Sequence, residues 1–478
     1  MRTKRLRFAA VAALVAGVAL AGCASSGGTS TDPALDPDNP WLVAGAASST
    51  GPSGPRSGVP DTTLQAENGD GGAVDRLALN AIADVEDFWK AEYGKHFEGE
   101  FQPASKYISW NAREDEGVDF CKTDTYKFVN AAYCRLDHSI GWDRGVLLPL
   151  IEEKFGPMAV VMVLAHEYGH AIQGKAKMTG FFSGALVKEQ QADCLAGVFL
   201  RHVAEGDSAH FTLNMTDGLD GVLGATIAVR DADPSDPDNV HGSAFERVTA
   251  VQLGYTDGAG ACKEIDRKEI EERRGNLPVT FEVDDEENQQ LPVDRDSLES
   301  VAQALAKNFP LREAPTFDYT GVTTDCSGVT TTEPVSYCPD TNTIGTDIPD
   351  LAERGGPLDG TDEPLTAVVQ GDYNAFVVFV SRYMLAVQQE RGLDLTGAQT
   401  AGLRTACLSG AFTTKLSEED SDPRLSANDL DEAVSGLLAD GKAAADVDGE
   451  VVQSGYQRLE AFRTGVLEGE SACWSDFN

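Results

Sequence analysis

Of the nine cysteines, the eight beyond Cys23 fall in two matching sets, and no other feature constrains the fold as tightly. Cys121 precedes Cys134 by 13 residues and Cys326 precedes Cys338 by 12, while Cys194 precedes Cys262 by 68 and Cys407 precedes Cys473 by 66. The flanking residues repeat as well. In "AAYCRLDHSIGWD" (131–143) and "VSYCPDTNTIGTD" (335–347), Tyr, Cys, Ile, Gly and Asp recur in register, and "ADCLAGVF" around Cys194 matches "TACLSGAF" around Cys407. The matches keep one order at offsets of 204 to 215 residues, the pattern of a tandem duplication of one domain. Eight cysteines allow 105 pairings, so spacing alone leaves the connectivity open. In duplicated halves the bridges correspond, and the repeat predicts Cys121–Cys134, Cys194–Cys262, Cys326–Cys338 and Cys407–Cys473.

The halves differ where chemistry is concerned. The apolar run "VMVLAHEYGHAIQ" (161–173) holds two histidines and a glutamate at its centre. On an α-helix His166 and His170 lie one turn apart on one face, about 6 Å between Cβ atoms, which suits two imidazoles meeting one metal ion. Glu167 points to one side, where it can reach water without ligating the ion itself. A buried structural histidine pair is the plain alternative. With 7 His in 478 residues, the H-E-x-x-H pattern arises by chance on the order of once in a hundred such chains. Two histidines and a water leave zinc one protein ligand short. The segment "KEQQADCLAGVFL" (188–200) offers Glu189 and Asp193, i and i+4 on one helical face. One of them can bind zinc while the other accepts a hydrogen bond from the outer nitrogen of a ligand histidine. In the second half Ser381, Arg382 and Leu385 replace His166, Glu167 and His170, and Gly402 falls near the place of Glu189, so no metal is expected there.

"AHEYGHAIQG", "EQQADCLAG" and "HGSAFERV" (241–248) together resemble the bacterial neutral zinc metallopeptidase family, itself similar to thermolysin-like zincins. The resemblance spans about residues 75 to 270. It implies a zincin-like domain with one Zn²⁺ ion held by His166, His170 and Glu189, Glu167 as general base, and Asp193 holding a ligand histidine. Zinc supplies water activation and carbonyl polarisation, and Glu167 moves the proton to the leaving amine. His241, Arg247 and Tyr255 lie beyond the second ligand helix and are candidates for the oxyanion donor or substrate contacts, each with a structural role as the alternative.

The start of the chain has a different purpose. "MRTKRLRFAAVAALVAGVALAGC" has a basic start, an apolar stretch and small residues before a cysteine, the pattern of a secretion signal over 1–22. "LAGC" resembles a bacterial lipobox, which implies lipid on Cys23 and an extracytoplasmic, membrane-anchored lipoprotein. Residues 23–72 are Ser-, Gly- and Pro-rich without apolar periodicity and are expected to be a flexible tether. The formal charge of −39 becomes −43 when Arg2, Lys4, Arg5 and Arg7 leave with the signal, which argues against nucleic acid and against anionic lipid headgroups as partners. A protein or peptide substrate is expected, with the membrane reached only through the lipid.

The remaining organisation reads as a metallopeptidase domain over 73–275, an acidic linker over 276–295 and a noncatalytic degenerate copy over 296–478. Helices are predicted near 157–173, 182–204, 75–95, 146–154, 243–254, 296–308, 373–391, 398–416 and 427–466, with short strands near 105–110 and 126–135. The fold class expected is α+β, mainly helical with a small sheet. Two other functions fit the same residues: an envelope-tethered lipoprotein that binds protein or cell wall and keeps a vestigial zinc site, and an amidase acting on wall peptides. Retention of Glu167 and Asp193 argues against the binding protein, since a purely structural site needs no general base.

Overall fold

Most of the chain is helix, because its apolar residues recur at three- and four-residue spacing rather than in strand alternation. The computed structural model describes residues 42–43, 46–47, 51–180, 183–231, 241–275, 277, 290–356, 365–418 and 421–477. Strands β1 (Leu42–Val43) and β2 (Ala46–Ala47) form a hairpin, followed by β3 (Gly54–Pro55). Helix α1 (Ala73–His96) leads to β4 (Lys106–Trp110), the short pair β5 (Asp119–Phe120) and β6 (Thr123–Asp124), β7 (Ala131–Cys134) and β8 (Ser139–Asp143). Strand β8 runs parallel to β4 and antiparallel to β7 in a sheet of order β4-β8-β7, which leaves β7 at an edge. Helices α2 (Leu147–Phe155), α3 (Pro157–Ala176) and α4 (Ala185–Ala204) follow, then β9 (Phe211–Thr212), α5 (Asp217–Ala228), α6 (Ala244–Glu264) and α7 (Arg267–Arg274).

The rest of the chain comprises α8 (Arg295–Asn308), β10 (Thr316–Asp318), β11 (Val335–Cys338), β12 (Thr343–Thr346), α9 (Ile348–Gly355), α10 (Tyr373–Glu390), α11 (Leu403–Lys415), α12 (Asp429–Ala439), α13 (Gly455–Glu468) and α14 (Glu470–Asp476). Its sheet has the order β10-β12-β11, with β10 parallel and β11 antiparallel to β12. The two mixed sheets therefore share strand order and strand senses. Buried side chains from both series join in one apolar cluster, from Leu77 through Leu164 and Val251 to Phe376 and Phe462. Among the described residues no helix is long and apolar enough to cross a membrane.

All four expected disulfides are present, with Cα separations of 5.4 Å for Cys121–Cys134 and 5.5 Å for Cys194–Cys262, Cys326–Cys338 and Cys407–Cys473. The two long bridges tie equivalent helices, α4 to α6 and α11 to α14. Replacing Cys194 and Cys262 together by alanine is expected to cost about 4 kcal/mol, against about 3 kcal/mol for the Cys121–Cys134 pair, because the larger loop restricts the unfolded chain more. Denaturant titration of the two double variants measures the order.

Several expected boundaries move. The helix expected over 427–466 is two helices, α12 and α13, separated by a 3-10 turn at Lys442–Ala444. Gly441 and Gly449 take positive φ there, and the Asp446 carboxylate accepts from the amides of Asp448 and Glu450, so the chain turns instead of continuing. The strand expected over 126–135 shrinks to Ala131–Cys134, since Thr125 to Phe128 form a turn. Helices α5, α7, α9 and α14 lie outside every predicted helix. The tether gives way to ordered chain well before residue 72: β3 pairs with β9, and Arg56 donates to the carbonyls of Ser208, Phe211 and Gly206. Backbone pairing and one arginine hold a segment whose composition offers little to bury. The signal and Cys23 lie outside the described residues, as does most of the 276–295 linker.

Candidate metal centre

Helix α3 is apolar on nearly every face and is buried accordingly, with Pro157 at its first turn and Lys177 closing it in the left-handed conformation. A side chain at Gly169 would strike the backbone of Ala192. Glycine at this place inside the H-E-x-x-H segment therefore lets α4 cross α3 closely enough to bring Glu189 to the histidines. His166 Nε2 and His170 Nε2 lie 3.3 Å and 3.4 Å from the same oxygen, Glu189 Oε2. Charge-assisted hydrogen bonds are shorter, about 2.7 to 2.9 Å. Ligands of a tetrahedral ion with bonds of about 2.05 Å stand about 3.3 Å apart. The three atoms thus have the spacing to hold one such ion, and the two imidazoles meet edge to face at 86°.

Each ligand side chain is held from behind. His166 Nδ1 donates to Asp193 Oδ1 at 2.7 Å, which leaves Nε2 as the nitrogen with a lone pair. Asp193 is fully buried and is gripped by Arg247, whose Nε reaches Oδ2 at 2.9 Å and whose Nη2 reaches Oδ1 at 2.8 Å. The Arg247 Nη1 donates to the Val229 carbonyl at 2.6 Å. His170 Nδ1 donates to Gln173 Oε1 at 3.1 Å, and the Gln173 amide is itself fixed by donating to the Lys188 carbonyl.

Burial pushes the His166 pKa down, but the Asp193 carboxylate outweighs it, with Glu189 and Glu167 adding to the effect, and the group is raised to about 10. Burial pushes Glu189 up, and the two imidazoles more than reverse this, holding it far below the usual carboxylate range. Burial likewise opposes the ionised Asp193, which Arg247 and His166 hold low. The field at this point of the protein favours a cation. Asp193→Ala is expected to weaken metal binding by about 10- to 100-fold without abolishing it, because it frees His166 but removes no ligand; competition with a chelator measures the change.

A cleft opens beside His166 and Glu167. Its walls are Leu147 and Ile151 of α2, Met162 and Val163 of α3, and Ala225 and Val229 at the end of α5, with Glu167, His166 and His241 at the polar side. Glu167 Oε2 accepts from the Tyr133 amide at 2.9 Å, so this carboxylate is docked on the outer edge of β7. His241 is near half exposed, and its Nδ1 faces Asp231 Oδ1 at 3.0 Å. Asp231 also accepts from the amides of His241 and Gly242.

The three residues named from sequence beyond α4 part company here. His241 reaches the cleft. Arg247 also lines the cleft, with its guanidinium committed to Asp193 and the Val229 carbonyl. Tyr255 is buried at the contact of the two halves, its hydroxyl on Met215 Sδ at 3.2 Å and its ring 5.1 Å from that of Tyr456. Arg247 and Tyr255 are eight residues apart on α6, a rotation of about 80° around the helix, and so face different neighbours. Sequence reasoning missed Gln173 and Asp231. Gln173 sits three residues after His170, a spacing that signals a same-face partner, whereas Asp231 lies among several aspartates that nothing in the sequence ranks.

No protein-family model matches the chain, and no solved structure matches it. Uncharacterized proteins of Mycobacterium tuberculosis and Mycobacterium bovis are 29% identical to it over 154 residues, 27% of this chain and 53% of each relative. The chain thus spans about half the length of these curated relatives, whose names assign no activity.

Proposed function

We propose that the chain is a zinc-dependent peptidase that cleaves peptide bonds in the cleft between α3 and the outer edge of β7. The observation that carries this reading is the meeting of His166 Nε2, His170 Nε2 and Glu189 Oε2 at the spacing of tetrahedral ligands, beside a glutamate that is not one of them. Zinc bound there would acidify water towards neutrality and polarise a scissile carbonyl. Glu167 faces the cleft from the residue next to His166; it takes a proton from the attacking water and delivers it to the leaving nitrogen. Asp193 and Arg247 keep His166 in the tautomer whose Nε2 can ligate. His241, its ring oriented by Asp231 on Nδ1, reaches the cleft and is the donor to the oxygen that gains charge. The apolar walls favour a substrate with an apolar side chain beside the scissile bond.

The second half is, in this reading, a duplicate that lost its ligands and now braces the first. Support comes from the shared sheet order, the corresponding disulfides and a reciprocal contact between the halves. Asp431 of α12 accepts from the amides of Ala244 and Phe245 at 2.8 and 2.9 Å, and Asp220 of α5 accepts from the Gly455 amide at 2.8 Å. Asp220 and Asp431 are 211 residues apart, as are Ala244 and Gly455. The Asp431 contact pins the first turn of α6, the helix that carries Arg247. A lipid on Cys23 would hold the enzyme at the outer face of the cytoplasmic membrane.

The test of this assignment uses His241. In His241→Ala, kcat for peptide hydrolysis is expected to fall by about 10²- to 10³-fold with zinc content and KM little changed, since the donor acts on the transition state and not on the metal. Steady-state kinetics with a quenched-fluorescence peptide library reads the effect and the side-chain preference together. A variant as active as the wild type would remove His241 from the mechanism, and a library with no cleaved member would remove the peptidase assignment.

A further inference from the structure

We propose that the second half holds a site of its own for a hard divalent cation of the calcium class, formed by Asp372, Asp429 and Glu432. None of the three belongs to the zinc ligands or to their supports. Asp372 precedes α10, and Asp429 and Glu432 lie one turn apart on α12. All three are buried, Asp372 and Asp429 with 5% and Glu432 with none of the side chain's surface exposed. One oxygen from each lies within 4.8 Å of the others. That limit is the diameter of a first shell with bonds of about 2.4 Å, the calcium–oxygen distance.

Their hydrogen bonds leave the centre of the cluster without a counter-charge. Asp372 Oδ2 accepts from the Leu291 amide, Glu432 Oε1 from Gln290 Nε2 at 2.8 Å and Oε2 from the Tyr373 amide at 2.8 Å, and Asp429 from the amide and hydroxyl of Ser426. Among the described residues none of the three forms an ion pair with Lys, Arg or His. The remaining oxygen, Asp372 Oδ1, is buried and has no hydrogen-bond partner. An unpartnered buried carboxylate oxygen carries a heavy desolvation cost that a bound cation removes. Gly371, at φ +152°, lies against the Glu432 carboxylate with no room for a side chain, so the backbone itself closes one wall. An all-oxygen donor set selects calcium over zinc or copper.

The experiment is calorimetric titration of the chelator-treated full chain with CaCl₂, paired with thermal melting. One Ca²⁺ is expected to bind per chain and raise Tm, in the wild type and equally in Glu189→Ala, which keeps this site apart from the zinc centre. Asp372→Asn and Asp429→Asn are each expected to lose affinity by about 10²-fold or more, as the charge count of the ligands falls. Wild type that takes up no Ca²⁺ at millimolar concentration and shows no shift in Tm would overturn the proposal and leave three carboxyls that share protons. Binding retained undiminished in both asparagine variants would overturn it as well. The wild-type titration decides the matter even if a variant fails to fold.

Discussion

Glu167→Gln is expected to keep its zinc and to lose peptide hydrolysis by a factor on the order of 10³ or more. Glutamine has nearly the shape of glutamate but cannot take a proton from water. The three ligand atoms belong to other residues, so the metal should remain. The Tyr133 amide donates to Glu167 Oε2 at 2.9 Å, and the glutamine Oε1 can accept that bond in its place, so the fold should survive too. The substitution therefore separates proton transfer from metal binding and from stability. Zinc content by mass spectrometry and hydrolysis of a reporter peptide, measured on one preparation, check both halves of the expectation. A variant that retained activity would show that another group takes the proton.

Glu189→Ala is expected to abolish stoichiometric zinc, a loss beyond the 10- to 100-fold expected when only the carboxylate behind a ligand is removed. The oxygen of Glu189 faces both imidazole nitrogens, and its removal leaves two neutral donors where three ligands and a negative charge stood. Asp193→Ala leaves all three ligand atoms in place. It strands Arg247 in a buried position, so its cost should fall on stability, by about 3 to 5 kcal/mol, as much as on the metal. Chelator competition ranks the two variants, and denaturant titration tells lost ligation from lost fold. If Asp193 proved essential for zinc and Glu189 dispensable, the roles given to the two carboxylates would have to be exchanged.

The histidine pair was legible in the sequence because a helical turn brings i and i+4 together wherever the helix goes. The different parts of Glu189 and Asp193 were less so, since both lie on one face of α4 and only the crossing at Gly169 decides which meets the metal. The disulfides could be paired because the sequence states the pattern twice. What could not be read depends on chain segments far apart meeting. Helix α5 carries Leu219, Val222, Leu223 and Ile227 at helical spacing, but glycines at 218, 221 and 224 lower its helix propensity, so that packing against its neighbours and not the local sequence marks it as a helix. Asp231 orients His241 from ten residues upstream, a spacing with no signature. Asp372 meets Asp429 and Glu432 from 57 and 60 residues away, and each alone resembles an ordinary surface acid. Arg247 is a candidate in the sequence because it lies beyond the second ligand helix; it does line the cleft, but its guanidinium is committed to Asp193, a partner that nothing in the sequence singles out.

The central claim is that His166, His170 and Glu189 hold one catalytic zinc. The measurement that bears on it most directly is zinc per chain in the purified protein and in His170→Ala, with reporter-peptide hydrolysis read on the same samples before and after chelation. The account predicts one zinc in the wild type, none in the variant, and activity that disappears with chelator and returns with added zinc only in the wild type. A wild type that binds no zinc, or a variant that keeps both the ion and the activity, would contradict it.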